Sequence, residues 1–568
     1  MRSAGVRSGN GVSGAQPHAL CGVEFRVVPS GMFAIVERAA SSATPAMKII
    51  ASAILITGLL CGPSFLWAAD WPQWRGPSRS GVVLDCPKLL DRIPEGGLKE
   101  LWESEEIPTN EEGGFGSPVA ADGRVYMALV WHRDEPSSSR QISELVVRQL
   151  GHQSTNALGA QLVAKMEQVR ESIPPTLRGA KLEEFAKQWI AENFDAKQKQ
   201  LYSGFVTNRF KKGRFALPLD VLEALNKNAE TVFADEAAML RWLEEKGWPQ
   251  AVRDEIVAAV PPTKRVAEDV VVCMELATGK TLWKTSLPGA PRGRSASSTP
   301  CVAEGRVVAL GSTRLWSVDA VSGAVLWETP ISHRRGLGTS PLSVEGVVVV
   351  NADALTGYDA RDGREIWKQE KAGGGSSSPI TWKTGGRKLV ICNGRSALDA
   401  VDLRTGELVW SAPGGGDSTP GVEGDILAAQ ARKGELGLVV YKLDASGATQ
   451  LWNYPMDAVR TQSSPVVDKG TVYLMDDNVH YAFEVKSGSQ RWRETAQSTI
   501  ASPVLADGKL LVMANNGNTL VLLKASGEGR EELGRATVRA QWVPSPCLVG
   551  ERLVLRMKDK LKCWSLAP

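Results

Sequence analysis

A phrase that returns about every 42 residues constrains this chain more than any other feature. Its fullest copy is Ala400-Val401-Asp402-Leu403-Arg404-Thr405-Gly406-Glu407-Leu408-Val409-Trp410. An acidic residue stands third, a small polar residue and Gly occupy the middle, and Trp ends it. Close copies end at Trp283, Trp327, Trp367, Trp452 and Trp492. A fixed period of this length marks repeated supersecondary units stacked on one another. One unit has too little core to fold alone, so neighbours must share theirs.

Ahead of each phrase come a Ser/Thr-Pro pair, an apolar run, a tight turn and a second apolar run. In the copy that begins at Ser464-Pro465, Pro465 suits the first residue of a strand, where its absent N–H costs least. Asp468-Lys469-Gly470 reads as a hairpin turn, Val479 to Phe483 as a third strand and Ser489 to Trp492 as a fourth. Four short antiparallel strands per period describe a propeller blade. The pairs number eight: Ser117-Pro118, Thr299-Pro300, Ser340-Pro341, Ser378-Pro379, Thr419-Pro420, Ser464-Pro465, Ser502-Pro503 and Ser545-Pro546. The last unit stops after three strands, at Leu561–Leu566, and Leu98-Lys99-Glu100-Leu101-Trp102 offers the fourth from far upstream. The expected fold is therefore all-β: an eight-bladed antiparallel β-propeller closed by its own N-terminal strand, which hides the open edge. Trp102, Trp283, Trp327, Trp367, Trp410, Trp452 and Trp492 are read as packing residues, each burying a large area against the next blade.

The first blade is interrupted. Pro118 and Pro300 lie 182 residues apart, against about 40 for the other pairs. The strand at Gly123–Val130 is expected to continue at Val270–Met274. Between them, Leu182–Ile190, Ala237–Leu243 and Leu145–Val169 carry apolar residues at helical spacing. This predicts a helical insertion over 132–268, set into a loop between two strands of the first blade, where insertions are tolerated.

Met47-Lys48-Ile49 opens a secretory signal: one charge, an apolar stretch to Leu60, and a cleavage site at Leu66-Trp67-Ala68-Ala69. The apolar stretch is too short for a transmembrane span. The chain accordingly divides into 1–46, a non-native or disordered leader; 47–69, the signal peptide; 70–97, an N-terminal extension; and 98–568, the propeller. The mature protein is expected in the periplasm or outside the cell, without a lipid anchor, as a monomer. With 66 basic and 63 acidic residues the formal charge is +3, which gives no electrostatic reason to propose nucleic acid. After leader removal six cysteines remain, none in a CxxC pair, and they read as buried free thiols.

The phrase Ala-x-Asp-x-x-Thr-Gly-x-x-x-Trp resembles the tryptophan-docking repeat of the quinoprotein (PQQ-type) propellers, over residues 98–568 apart from the insertion. The opening Asp70-Trp71-Pro72-Gln73-Trp74-Arg75-Gly76-Pro77 looks like the start of secreted members of that superfamily. The resemblance implies an eight-bladed propeller. It also implies two kinds of function: PQQ-dependent oxidation of alcohols or sugars with calcium, or a non-catalytic role like that of the propeller lipoprotein of the outer-membrane β-barrel assembly machinery. The dehydrogenases typically carry an adjacent Cys-Cys pair and a Glu/Asn/Asp calcium set. This chain has no adjacent cysteines, and no position matches those ligands by motif. The expectation is an exported, non-catalytic propeller with no cofactor, binding a protein partner or an anionic extracellular ligand at the channel mouth or through its helical insertion. A PQQ-dependent oxidoreductase is the alternative.

In a propeller the loops that cross from one blade to the next gather at one mouth of the central channel. Here they contain Arg292, Arg294, His333, Arg334, Arg335, Asp417, Arg460, Gln462, Gln541 and Trp542. Five arginines on one rim make a local excess that the net charge conceals, suited to carboxylate or phosphate groups.

Overall fold

The computed structural model describes residues 70–291, 296–332, 338–456, 462–476, 478–496 and 500–568. The leader 1–46 and signal peptide 47–69 lie outside them. The described residues build seven four-stranded antiparallel sheets, an eighth of five strands and a small two-stranded one; six of the four-stranded sheets follow sequence order, and the seventh takes its edge strand Lys99–Glu103 from far upstream. This is the strand arrangement of an all-β propeller.

The strands form because both faces of every inner sheet are covered. In Arg306–Leu310, Val307 and Ala309 pack with Tyr126, Val271 and Cys273 of the preceding sheet, while Val308 and Leu310 pack with Val348 and Val350 of the following one. Successive side chains point to opposite faces of a strand. A strand covered on both sides therefore reads as an unbroken apolar run.

The repeated phrase is the device that joins one sheet to the next. Asp402 closes its own turn: Oδ1 accepts from Arg404 N at 2.9 Å and Thr405 N at 3.1 Å. The carbonyl that follows the acidic residue accepts the indole N–H of the preceding sheet. Trp102 donates to Leu276 O, Trp327 to Ala360 O, Trp367 to Leu403 O and Trp452 to Val485 O, at 2.7–3.0 Å. The same indole covers the turn glycine. Gly406 has φ +70°, and a Cβ there would stand 2.6 Å from the Trp367 ring, so both backbone shape and space demand Gly. Trp283 and Trp410 are exceptions among the described residues, because neither Nε1 has a partner; Trp283 still covers Gly323 of a full-length turn, and Trp410 faces a shortened one. That turn, Asp444–Gly447, is one residue shorter than Asp402–Gly406.

The Ser/Thr-Pro pairs form a second joint nearer the axis. Ser117 N donates to Thr299 Oγ1, Thr299 N to Ser340 Oγ and Ser340 N to Ser378 Oγ. The series resumes as Thr419 N to Ser464 Oγ, Ser464 N to Ser502 Oγ and Ser502 N to Ser545 Oγ, and returns as Ser545 N to Ser117 Oγ, all within 2.9–3.1 Å. Last and first sheets are thus neighbours. The strand Lys99–Glu103 pairs with Leu561–Ser565, setting Trp102 opposite Cys563, as expected for closure by the upstream segment.

Between Pro136 and Thr263 the chain leaves the sheets for seven α-helices. The boundaries differ from the expected 132–268. Arg124–Pro136 and Thr263–Glu275 stay paired to their tips, Pro136 opposite Thr263, making a long two-stranded stalk. Leu145–Val169 is likewise two helices, not one. Glu144–Leu150 ends on Gly151 at φ +111°, and Ala160–Ser172 starts after Gly159. The helices enclose two apolar clusters, one around Val147, Leu222, Leu225, Leu243 and Ile256, the other around Met166, Ala186, Trp189, Val206 and Phe210. Ser143, Asp195 and Asp235 cap helix starts by accepting backbone N–H groups.

Candidate functional site

The extension 70–97 has a structural role that its sequence did not disclose: it threads the axis. Trp71 exchanges both backbone hydrogen bonds with Ala120, Pro72 O accepts from Val302 N, and Gly81 O accepts from Leu505 N. Val82–Val83 then adds a parallel strand to Val504–Ala506. Arg75 and Arg79 are 2% and 1% exposed. Arg75 Nη2 donates to Ser80 O and Pro465 O at 2.7 Å, and Nη1 reaches Arg79 O, Thr419 O and Pro420 O at 3.4 Å. Arg79 donates to Pro341 O at 2.8 Å, Ser340 O at 3.0 Å and Gln73 Oε1 at 3.3 Å. Trp74 Nε1 donates to Thr419 Oγ1 at 3.0 Å.

The Ser/Thr-Pro pairs explain why arginine fits. Proline has no N–H, and the Ser/Thr N–H of each pair is taken up by the joint between sheets, which leaves the pair's carbonyl oxygens as acceptors. A planar guanidinium with five N–H groups can span carbonyls of separate sheets. Burial pushes the Arg75 guanidinium down to about 9, with repulsion from Arg79 adding to it, and burial likewise takes Arg79 to about 10. Two arginines four residues apart in a Gly/Ser/Pro segment, with eight Ser/Thr-Pro pairs elsewhere, were the available signal.

The rim is described only in part. Arg292, Arg294, His333, Arg334, Arg335 and Arg460 lie outside the described residues. Asp417 is paired with Arg432 at 2.6 Å. Gln462 is exposed. Gln541 is buried, donating from Nε2 to Asn110 Oδ1 at 2.6 Å, and Trp542 is exposed with its ring edge-on to Phe115, centroids 5.8 Å apart. The glycine runs Gly373-Gly374-Gly375 and Gly414-Gly415-Gly416 are tight crossings. Asn351 Oδ1 accepts from Gly374 N, and Asn393 Oδ1 accepts from Gly415 N at 2.8 Å.

Asn351 and Asn393 end their second strands, so those ends meet the crossing loops. The stalk is the second and third strands of its sheet prolonged, and it rises at the same face. Arg265 on the stalk donates to Glu111 O of a crossing loop at 2.7 Å and faces Asp134 at 3.8 Å. A cleft of about 350 Å³ opens there. Glu111 lines it from the crossing loop, Asp134, Lys264 and Arg265 from the stalk, and Leu145 and Val232 from the helical module. Val232 is 60% exposed. Nothing in the sequence placed these segments together, because the stalk length decides where the module stands.

The described residues do not fit a calcium-held quinone. A calcium site needs six to eight oxygen ligands, carboxylates among them. Among the described residues no group of three or more His, Cys, Asp or Glu side chains could hold a metal ion. On the axis, Arg75 and Arg79 are held by backbone carbonyls. Five of the six described cysteines are buried free thiols and Cys86 is half-buried. No described helix is long and apolar enough to cross a membrane.

A family model described as outer membrane protein assembly factor BamB matches residues 267–417 and 352–567. The chain is 24% identical over 320 residues to the assembly factor BamB of Yersinia pestis, covering 51% of this chain and 78% of that one. It is 23% identical over 271 residues to BamB of Moranella endobia (strain PCIT), covering 45% and 67%. Among solved structures, BamB from Moraxella catarrhalis aligns over 52% of this chain and 88% of its own, at 16% identity and a TM-score of 0.42. The two matched segments together span more than half of the sequence, and the chain belongs to the PQQ-repeat family of the outer membrane protein assembly factor BamB.

Proposed function

We propose that this chain is an exported, non-catalytic propeller of eight blades that holds a protein partner at its crossing-loop face. The eight sheets and the serine–threonine joint support the blade number. The indole-over-glycine contacts support reading the Trp series as a tryptophan-docking repeat. The segment 137–262 is then a helical insertion in the first blade. Relatives named for outer membrane protein assembly support a protein-binding role over oxidation of alcohols or sugars.

The cleft between rim and stalk carries the reading. It combines apolar Leu145 and Val232 with charged Glu111, Asp134, Lys264 and Arg265, the mixed lining of a recognition surface. The anionic extracellular ligand remains a second occupant of the same face, through the rim arginines. The location is the periplasm or the exterior, reached by cleavage after Ala69, with no lipid anchor and a monomeric product. Cleavage there leaves Asp70 just ahead of Trp71, which is already tied to Ala120.

The test joins Pro136 to Thr263 through a short turn, removing 137–262. The variant keeps its sheets and is compared with the full chain in capture of cross-linked partners from envelope extract. The proposal expects a protein held by the full chain and lost from the variant. Equal capture, or dye reduction with PQQ, calcium and an alcohol, contradicts it.

A further inference from the structure

The axial arginines hold backbone carbonyls next in sequence to buried hydroxyls that have no partner within the protein. Ser298, Thr339, Ser377 and Ser418 each precede a residue of the Ser/Thr-Pro pairs by one position, and each is at most 4% exposed. None of their hydroxyls has a hydrogen-bond partner within the protein. The equivalent Ser463 does have one, donating to Ala501 O at 3.4 Å. The four unpartnered hydroxyls therefore occupy four consecutive sheets.

The arginines serve those same sheets. Arg79 grips Ser340 O and Pro341 O, next to Thr339. Burial lowers its basicity first, and Cys301 and Cys392 are the groups that act on its charge. Cys301 belongs to the sheet of Ser298, and the Cys392 thiol lies 3.9 Å from Ser377 O. Arg75 reaches Thr419 O, next to Ser418. The Nε–H groups of both arginines, and both amide atoms of fully buried Gln430, also have no partner within the protein. Neither guanidinium has a carboxylate among its partners.

The carbonyls that Arg79 and Arg75 hold at Ser340 and Thr419 are thus the chain neighbours of two of the unused hydroxyls, Thr339 and Ser418. A buried charge is stable only when paired or richly hydrogen-bonded. Carbonyls supply the hydrogen bonds but no opposite charge. We propose that the axis holds a small inorganic anion of the halide class, seated between the Arg75 and Arg79 Nε–H groups and the hydroxyls of Ser298, Thr339, Ser377 and Ser418. Hydroxyl and guanidinium N–H donors turn toward it, and it locks the N-terminal segment into the ring. The site is separate from the cleft, so its failure leaves the proposed function standing.

Two measurements on the full chain test this. Crystals soaked in sodium bromide are expected to show an anomalous peak on the axis beside Arg75 and Arg79. Melting is compared in sodium chloride and sodium gluconate at equal ionic strength, after exhaustive dialysis. Chloride is expected to raise Tm saturably by about 2 °C or more, the size a ligand bound well above its Kd produces. The variant Thr339→Val with Ser377→Ala keeps both arginines and should lose most of that rise. No axial peak overturns the proposal. So does a peak with no chloride effect on melting, which is binding at crystal concentration only. So does a chloride effect that the double variant retains in full.

Discussion

At the scale of single residues, the repeat makes a graded set of joints from one phrase. Trp367 spends its indole N–H on Leu403 O and its ring on Gly406, whereas the Trp410 N–H has no partner. Trp367→Phe should therefore cost about 1–2 kcal/mol more than Trp410→Phe, since only the former strands a buried carbonyl. Urea unfolding of the two variants measures the difference. His480 makes a second case. It is 1% exposed, and burial first, then Arg530, lowers its imidazole to about 4. The unfolded chain, with its ordinary value of 6.5, binds the proton more readily, so stability is complete above pH 6.5 and falls as pH drops toward 4. The loss due to this residue should approach ~3 kcal/mol at pH 4. His480→Leu should flatten the stability–pH curve between pH 6.5 and 4 relative to wild type, and parallel curves would assign the slope to other groups.

At the scale of elements, what was legible in the sequence followed from periodicity. The apolar runs, the Asp-x-x-Thr-Gly turns and the closing strand at Lys99–Glu103 all announced themselves, because each is local chemistry repeated. Two things were not legible. Helical spacing continued through Gly151–Gly159, so Leu145–Val169 read as one helix although two glycine-capped ends divide it. The stalk tips were read as insertion because Trp131 to Pro136 is polar and lacks strand periodicity; cross-strand pairing holds it, with Arg133 to Glu268 at 2.7 Å and Arg133 and Lys284 over the Trp131 ring. The closing strand carries its own prediction. Deleting 98–103 removes Trp102 from Gly279 and bares the edge of Leu561–Ser565. The loss should exceed about 3–5 kcal/mol, the range for truncating one buried aromatic, and an unchanged Tm would rule out that closure.

At the scale of the whole molecule, one face differs from the rest. The N-terminal segment fills the axis, and the outer strands of the sheets are alike from one repeat to the next. Among the described residues the largest departure from the repeat is at the crossing-loop face, through the stalk and the module it carries. That face owes nothing to local sequence pattern, since Glu111, Leu145, Val232 and Arg265 come together through the length of one hairpin. The direct measurement is site-specific photo-cross-linking in the cell that makes the protein. The photoreactive residue is placed at Val232 or Lys264 in the cleft, and at Leu326, which is 44% exposed on an outer strand. The account predicts a discrete protein adduct from the two cleft positions and none from Leu326; adducts from Leu326 with none from the cleft would contradict it.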